Sequence, residues 1–122
     1  MNKSLYAVAA IIAAVIGTSA AYAHPKLQSA EPAAGKSSAP PKEIRIHFSE
    51  SVVPQFSGIE LKDQTGKAIA IGKTTNDPSD RKTLIVPLKD PLSPGDYTVD
   101  WHAVSGDTHK VKGSYSFGVA RR

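Results

Sequence analysis

The chain has 122 residues and a net charge of +4, with 15 Lys and Arg against 11 Asp and Glu, and it contains no cysteine. The lack of cysteine excludes disulfides and thiolate metal sites, and the single methionine is Met1. The basic residues are scattered and the aromatic residues are few, which argues against a nucleic-acid-binding surface.

The first 23 residues have the pattern of a cleaved secretory signal peptide. Lys3 lies in a short polar start, an apolar run follows from Leu5 to Ile16, and Ala21-Tyr22-Ala23 forms an A-x-A cleavage signal. The apolar run is shorter than the roughly 20 residues that a membrane span needs. We therefore expect residues 1–23 to be removed and residues 24–122 to form one exported, periplasmic domain.

Short runs of alternating polar and apolar residues, interrupted by prolines and glycines, are typical of an all-β domain. In Glu43–Phe48, alternation places Ile44, Ile46 and Phe48 on one face, with Arg45 and His47 on the other. In Asp96–Val104 and in the last run, the apolar faces are formed by Tyr97, Val99, Trp101 and Ala103, and by Val111, Tyr115, Phe117 and Val119.

Further strands are predicted at residues 26–30 and 83–88, and residues 57–61 and 67–71 are predicted to form a hairpin around the turn at 63–66. Pro87 and Pro91 indicate that the 83–88 strand lies at a sheet edge. Residues 31–41 and 72–81 are predicted to be long loops. About seven strands are enough for a Greek-key, immunoglobulin-like β-sandwich or barrel.

His24 becomes the first residue of the mature chain if the leader is cut after Ala23. Its free α-amine and its imidazole can then close one chelate ring on a metal ion, which an internal histidine cannot do. Pro25 has no backbone N–H, so a copper ion cannot displace an amide proton there and wrap the terminus around itself. Protection from aminopeptidases is an equally good reason for Pro25.

Asp107 and His109 lie two positions apart in the link between the last two predicted strands. If the link is extended, both side chains point to the same side, and Gly106 allows a sharp turn before them. A hydrogen-bonded surface pair without a metal is the alternative interpretation. Combined with His24, however, the pair offers three nitrogens and one oxygen, a set that suits tetragonal Cu(II) and binds Zn(II) more weakly.

Two further residues are candidates for supporting roles near this site. Glu50 ends a predicted strand and could accept a hydrogen bond from the ring N–H of a copper ligand. Trp101 is most simply a core tryptophan, close enough to bound Cu(II) for its fluorescence to be quenched. His47 and His102 are predicted to lie on the outward faces of their strands, although a contribution of His47 to the site stays open.

The chain resembles the CopC family of periplasmic copper-binding proteins. The resemblance rests on HPKL after the leader, FSE at residues 48–50, the Pro-Gly-x-Tyr-x-Val-x-Trp run, and Ser-x-Asp-x-His near the end. It implies a small Greek-key β domain, a Cu(II) site formed by His24, Asp107 and His109, and a role in copper handling. It also implies that the protein acts together with an inner-membrane copper permease of the CopD type.

Some members of the family carry a second, Cu(I) site in a loop with methionines and a histidine. Residues 62–81, the equivalent region, contain neither residue type, so we expect a Cu(II) site only. The favoured function is a monomeric copper carrier or buffer without catalysis, acting in copper homeostasis or resistance. The alternatives are an oxidative enzyme with a copper brace and a purely structural β-sandwich.

Overall fold

A computed structural model describes residues 25–121, which form eight strands in two sheets and no helix. The strands are β1 (Leu27–Glu31), β2 (Ser37–Ser38), β3 (Glu43–Phe48), β4 (Gly58–Asp63), β5 (Thr75–Asp77), β6 (Asp80–Pro87), β7 (Gly95–Val104) and β8 (Lys110–Val119). One sheet has the order β1-β3-β6-β5 and the other has the order β2-β8-β7-β4. Within residues 25–121, the structure contains no helix of the length and hydropathy that a membrane crossing requires.

The inward faces of the strands build one hydrophobic core between the two sheets. On β3, Ile44, Ile46 and Phe48 are 0% exposed, while Arg45 and His47 point outward and are only half-buried. Burying each of these large side chains contributes about 2 kcal/mol. The predicted alternation of β3 and the all-β sandwich are both confirmed.

The longest strand, β7, supplies the core from the second sheet. Tyr97, Val99 and Ala103 are buried, and Trp101, on the same face, is partly buried. The ring of Trp101 meets the ring of Phe48 edge-on, with centroids 5.3 Å apart and planes at 65°. Because Phe48 lies in the other sheet, this contact joins the two layers, and the predicted inward face of β7 is confirmed.

The prediction that residues 83–88 form an edge strand is wrong. The strand β6 lies between β3 and β5 in its sheet. Pro87 is tolerated there because it is the last residue of β6, and its carbonyl accepts a hydrogen bond of 2.7 Å from the amide of Gly72, which lies outside the strands.

Both predicted long loops contain short strands. In residues 72–81, β5 pairs with β6 across a tight turn, where the Asp77 carboxylate accepts a 2.9 Å hydrogen bond from the Ser79 amide. In residues 31–41, β2 runs parallel to β8. These segments are polar and lack alternation, so the pattern of apolar residues could not predict them.

The predicted hairpin after β4 is present only in part. The turn at residues 63–66 forms, with the Gly66 amide donating to the Asp63 carbonyl at 2.9 Å and Gly66 in the left-handed region at φ 86°. The return segment, residues 67–71, is not a strand, because its pairing is limited to isolated bridges, Lys62 with Ala68 and Ile71 with Leu88.

Candidate metal centre

The link between β7 and β8 is a hydrogen-bonded turn at one end of the sandwich. The Ser105 amide donates a 2.9 Å hydrogen bond to the carbonyl of His109, and the Thr108 amide donates one of 3.0 Å to the carbonyl of Ser105. Ser105 itself is buried, while Asp107 and His109 are exposed. The turn therefore presents both predicted ligands to solvent from a fixed base.

Asp107 and His109 lie side by side. The Nδ1 atom of His109 is 3.1 Å from Oδ2 of Asp107, and the two side chains are 45% and 55% exposed respectively. The hydroxyl of Ser105 and the backbone amide of His109, at 3.2 Å, both donate to Oδ1 of Asp107. These hydrogen bonds, with that of the Ser105 hydroxyl the strongest, lower the pKa of Asp107 to about 2, so the carboxylate is anionic at neutral pH.

The two side chains come together through a turn rather than through an extended link. Thr108, between them, has a φ of 72°, in the left-handed region that a β-branched residue rarely adopts. Residues 106–109 lie outside the strands, so alternation does not apply to them. The proximity of the pair is confirmed, but the extended geometry from which it was expected is wrong.

The first described residues lie at the same end of the sandwich as this turn. The amide of Lys26 donates to the Ser49 hydroxyl and the amide of Ser49 donates to the Lys26 carbonyl, both at 2.8 Å. Three residues beyond Ser49, Val52 forms an antiparallel bridge with Ser105. The segment after β3 thus joins the start of the described chain to the turn; His24 lies outside the described residues.

Glu50 lies within that joining segment, between Ser49 and Val52. It is half-buried, and its Oε2 atom is buried without a hydrogen-bond partner among residues 25–121. A buried carboxylate oxygen is costly unless a donor or a cation reaches it. Glu50 therefore has unused acceptor capacity in the segment that pairs with the base of the Asp107–His109 turn, and its supporting role stays a prediction.

Trp101 belongs to the core. Its ring crosses Gly113 on the neighbouring strand so closely that a β-carbon built on Gly113 would be 2.5 Å from its Cζ2 atom. It also contacts Phe48 edge-on. The prediction that Trp101 is a core tryptophan is therefore confirmed, and the quenching of its fluorescence by Cu(II) stays a prediction.

The other two described histidines lie on outward faces, as predicted. Nδ1 of His47 is 2.9 Å from the hydroxyl of Thr83 and 3.2 Å from a carboxylate oxygen of Asp80. His102 lies over the adjacent strand, where its Cε1 atom would be 3.4 Å from a β-carbon built on Gly58. Each ring is thus held against its own sheet.

Within residues 25–121, no group of three or more His, Asp and Glu side chains is placed to hold a metal ion. Asp107 and His109 together offer one carboxylate and one imidazole. Sequence reasoning missed Ser105 and Ser49, whose hydroxyls fix Asp107 and Lys26. For Ser105, the Ser-x-Asp spacing typical of side-chain-stabilised turns was the available signal.

Comparison with known proteins gives a consistent result. Residues 27–120 match the CopC domain. Copper resistance protein C of Pseudomonas syringae pv. tomato is 39% identical over 124 residues, covering 98% of each chain. The crystal structure of PcoC, a methionine-rich copper resistance protein from Escherichia coli, matches with a TM-score of 0.73 and 37% identity over 80% of this chain and 100% of that chain.

A longer relative matches part of this chain. Copper transport protein CutJ of Bacillus subtilis (strain 168) is 30% identical over 81 residues, which are 66% of this chain and 15% of CutJ. The family resemblance drawn from the sequence motifs is thereby confirmed. By its matched domain and its relatives over nearly the whole length, the chain belongs to the CopC family.

Proposed function

We propose that the protein is a periplasmic Cu(II) carrier or buffer whose leader is cut after Ala23. The α-amine and imidazole of His24, the carboxylate of Asp107 and the imidazole of His109 would bind one Cu(II) ion. The relatives named copper resistance or copper transport proteins support copper as the cargo.

The observation that carries the proposal is the convergence of chain segments at one end of the sandwich. Lys26 is hydrogen-bonded to Ser49, and the segment that follows Ser49 is paired with Ser105, the base of the Asp107–His109 turn. Pro25 is buried, and the peptide bond joins it directly to His24. These contacts hold the residues that follow His24 at the end of the sandwich that carries the Asp107–His109 turn, which supports a metal ion shared by His24 and the turn.

The donor types favour Cu(II) over Cu(I). Nitrogen and oxygen donors suit Cu(II), whereas Cu(I) prefers the sulfur of cysteine and methionine. This chain has no cysteine, and its one methionine precedes the predicted cleavage site. PcoC is described as methionine-rich, so the two proteins differ in the residues that a Cu(I) site would use.

Glu50 and Trp101 have supporting roles in this proposal. The buried, unpartnered Oε2 of Glu50 would accept a hydrogen bond from the ring N–H of a copper-bound imidazole and hold that ring in place. Trp101 would report on copper through quenching of its fluorescence, since it is the one tryptophan in the chain.

The carrier function is favoured over a copper-brace enzyme by the donor set. An oxidative enzyme needs an open equatorial position for oxygen, and Asp107 would fill the fourth position here. A monomer that delivers copper to a CopD-type inner-membrane permease fits this role. The partial match to the much longer copper transport protein CutJ supports such a partner.

The test is the mass and metal content of the protein purified from the periplasm. We expect an intact mass that begins at His24, one tightly bound Cu(II) per chain, and no reductant- or peroxide-driven oxidation of added polysaccharide. Copper-dependent turnover would favour the enzyme. A Cu(II) affinity no higher than that of an unstructured histidine-containing peptide would leave a purely structural β-sandwich as the remaining interpretation.

A further inference from the structure

Two hydrogen bonds of different kinds join the start of the described chain to the residue after β3. The Ser49 amide donates to the Lys26 carbonyl, and the Lys26 amide donates to the Ser49 hydroxyl, both at 2.8 Å. The first bond has a backbone acceptor and continues the pairing of β1 with β3, whereas the second has a side-chain acceptor. The hydrogen bond of the Lys26 amide therefore depends on which residue occupies position 49.

The residues on either side of Lys26 are held as well. Leu27 pairs with Phe48 and packs against the core, and Pro25 is buried. The pyrrolidine ring fixes the φ of Pro25 and disfavours a helical backbone in the residue before it. Two residues span at most about 7 Å, so the chain can place His24 no farther than that from Lys26. Few backbone rotations therefore separate a fixed Lys26 from the proposed amine and imidazole donors.

We propose that Ser49 is a positioning residue for copper: its hydroxyl fixes Lys26 and so holds the mature N-terminus beside the Asp107–His109 turn before copper binds. This role rests on the proposed function, since it takes His24 to be a ligand. A terminus that is already ordered loses less conformational entropy on binding, and its affinity for the metal is correspondingly higher. The described hydrogen bonds of Ser49 are to the backbone of Lys26, so Ser49 acts on the metal through the position of His24.

The size of the effect is limited by the hydrogen bond that is lost. Ser49→Ala removes the acceptor of the Lys26 amide and leaves the backbone bond of residue 49 in place. The net contribution of one such bond corresponds to a factor of about three to ten in an equilibrium constant. We therefore expect Ser49→Ala to weaken Cu(II) binding about three- to tenfold. The EPR parameters should be unchanged because the four donor atoms are the same, and Ser49→Thr, which keeps the hydroxyl, should retain the parent affinity.

The matched control is Ser51→Ala, which changes an exposed serine of the same segment and should bind Cu(II) as the parent does. A second background separates positioning from general damage to the fold. One alanine added before residue 24, combined with His24→Ala, removes both donors of the N-terminus. In that background, Ser49→Ala should leave the residual affinity of the Asp107–His109 turn unchanged, because no donor remains for Ser49 to position.

Amide hydrogen exchange of the copper-free mature protein measures the Lys26–Ser49 contact directly. The Lys26 amide should be protected in the parent and in Ser49→Thr, and should exchange about three- to tenfold faster in Ser49→Ala. An unprotected Lys26 amide in the parent, or equal Cu(II) affinity of Ser49→Ala and the parent, would overturn the proposal. An equal loss of affinity in the background without the His24 donors would also overturn it, since that loss would arise at the turn.

A failure of the positioning role and a failure of the proposed donor set give different results. If one alanine before His24 weakens copper binding while Ser49→Ala does not, the donor set stands and the positioning role of Ser49 is wrong. Parent-like affinity of the extended protein would contradict the donor set itself and would overturn the positioning role with it.

Discussion

At the scale of single residues, Asp107 is the best-defined donor of the proposed site. The Ser105 hydroxyl and the His109 amide hold its carboxylate, and its pKa is about 2. Sequence spacing predicted the partnership of Asp107 with His109. It could not predict the left-handed backbone conformation of Thr108 between them, because the spacing of the two residues does not determine the backbone conformation of the turn.

Replacing Asp107 by Asn should change the Cu(II) EPR parameters and lower the affinity at least about tenfold, since loss of even a hydrogen-bond partner of a metal ligand typically costs about 10–100-fold. The fold should survive because the side chain is exposed. Asp100→Asn, on the outward face of β7, is the matched control and should leave the spectrum unaltered. An Asp107→Asn spectrum identical to that of the parent would remove this carboxylate from the site.

Acid should release copper before it titrates Asp107. A carboxyl with a lowered pKa contributes stability that is present above its ordinary value, here 3.8, and is lost as pH falls through about 2. Amine and imidazole donors ordinarily take up protons at about pH 8 and about pH 6.5. Competition titrations should therefore show affinity falling steadily from pH 7 to pH 4, while the Asp107 carboxyl in the copper-free protein remains ionised over that range. Full retention of copper at pH 4 would contradict nitrogen ligation.

At the scale of elements, strands with alternating apolar residues were predictable and polar strands were not. The inward faces of β3 and β7 follow directly from alternation. The polar strands β2 and β5 are stabilised by pairing with β8 and β6, which are distant or differently patterned segments. The edge assignment for β6 failed because a terminal proline restricts only the end of a strand.

Gly113 on β8 should be essential for the contact between β7 and β8. A β-carbon at this position would lie 2.5 Å from Cζ2 and 2.8 Å from Cε2 of Trp101, so the ring must move. Gly113→Ala should lower the free energy of unfolding by about 1–3 kcal/mol, as overpacked sites do. Urea unfolding followed by Trp101 fluorescence measures the change.

The matched control for this substitution is Gly106→Ala. A β-carbon at Gly106 meets no atom within 4 Å, and this glycine is not among those with positive φ. The free energy of unfolding of the Gly106→Ala variant should be unchanged or raised by up to about 1 kcal/mol, because alanine reduces the conformational freedom of the unfolded chain. Equal stability of Gly113→Ala and the parent would mean that Trp101 is not confined as described.

At the scale of the whole molecule, the proposed site depends on contacts between segments far apart in the sequence. The bond between Lys26 and Ser49 and the bridge between Val52 and Ser105 bring together the start of the described chain and its last turn. No local pattern predicts these pairings. Donor chemistry and family motifs in the sequence indicated His24, Asp107 and His109. The topology explains why the start of the described chain and the turn between β7 and β8 lie at the same end of the sandwich.

The most direct test of the central claim is to place one alanine before His24 in the mature protein and measure its Cu(II) affinity. The added residue converts the α-amine into an amide and leaves every imidazole, Asp107 and the sandwich intact. We expect affinity to fall by at least about a hundredfold, with an altered EPR spectrum and an unchanged circular dichroism spectrum. Parent-like affinity in the extended protein would contradict the account, because it would show that the amine of His24 is not a copper ligand.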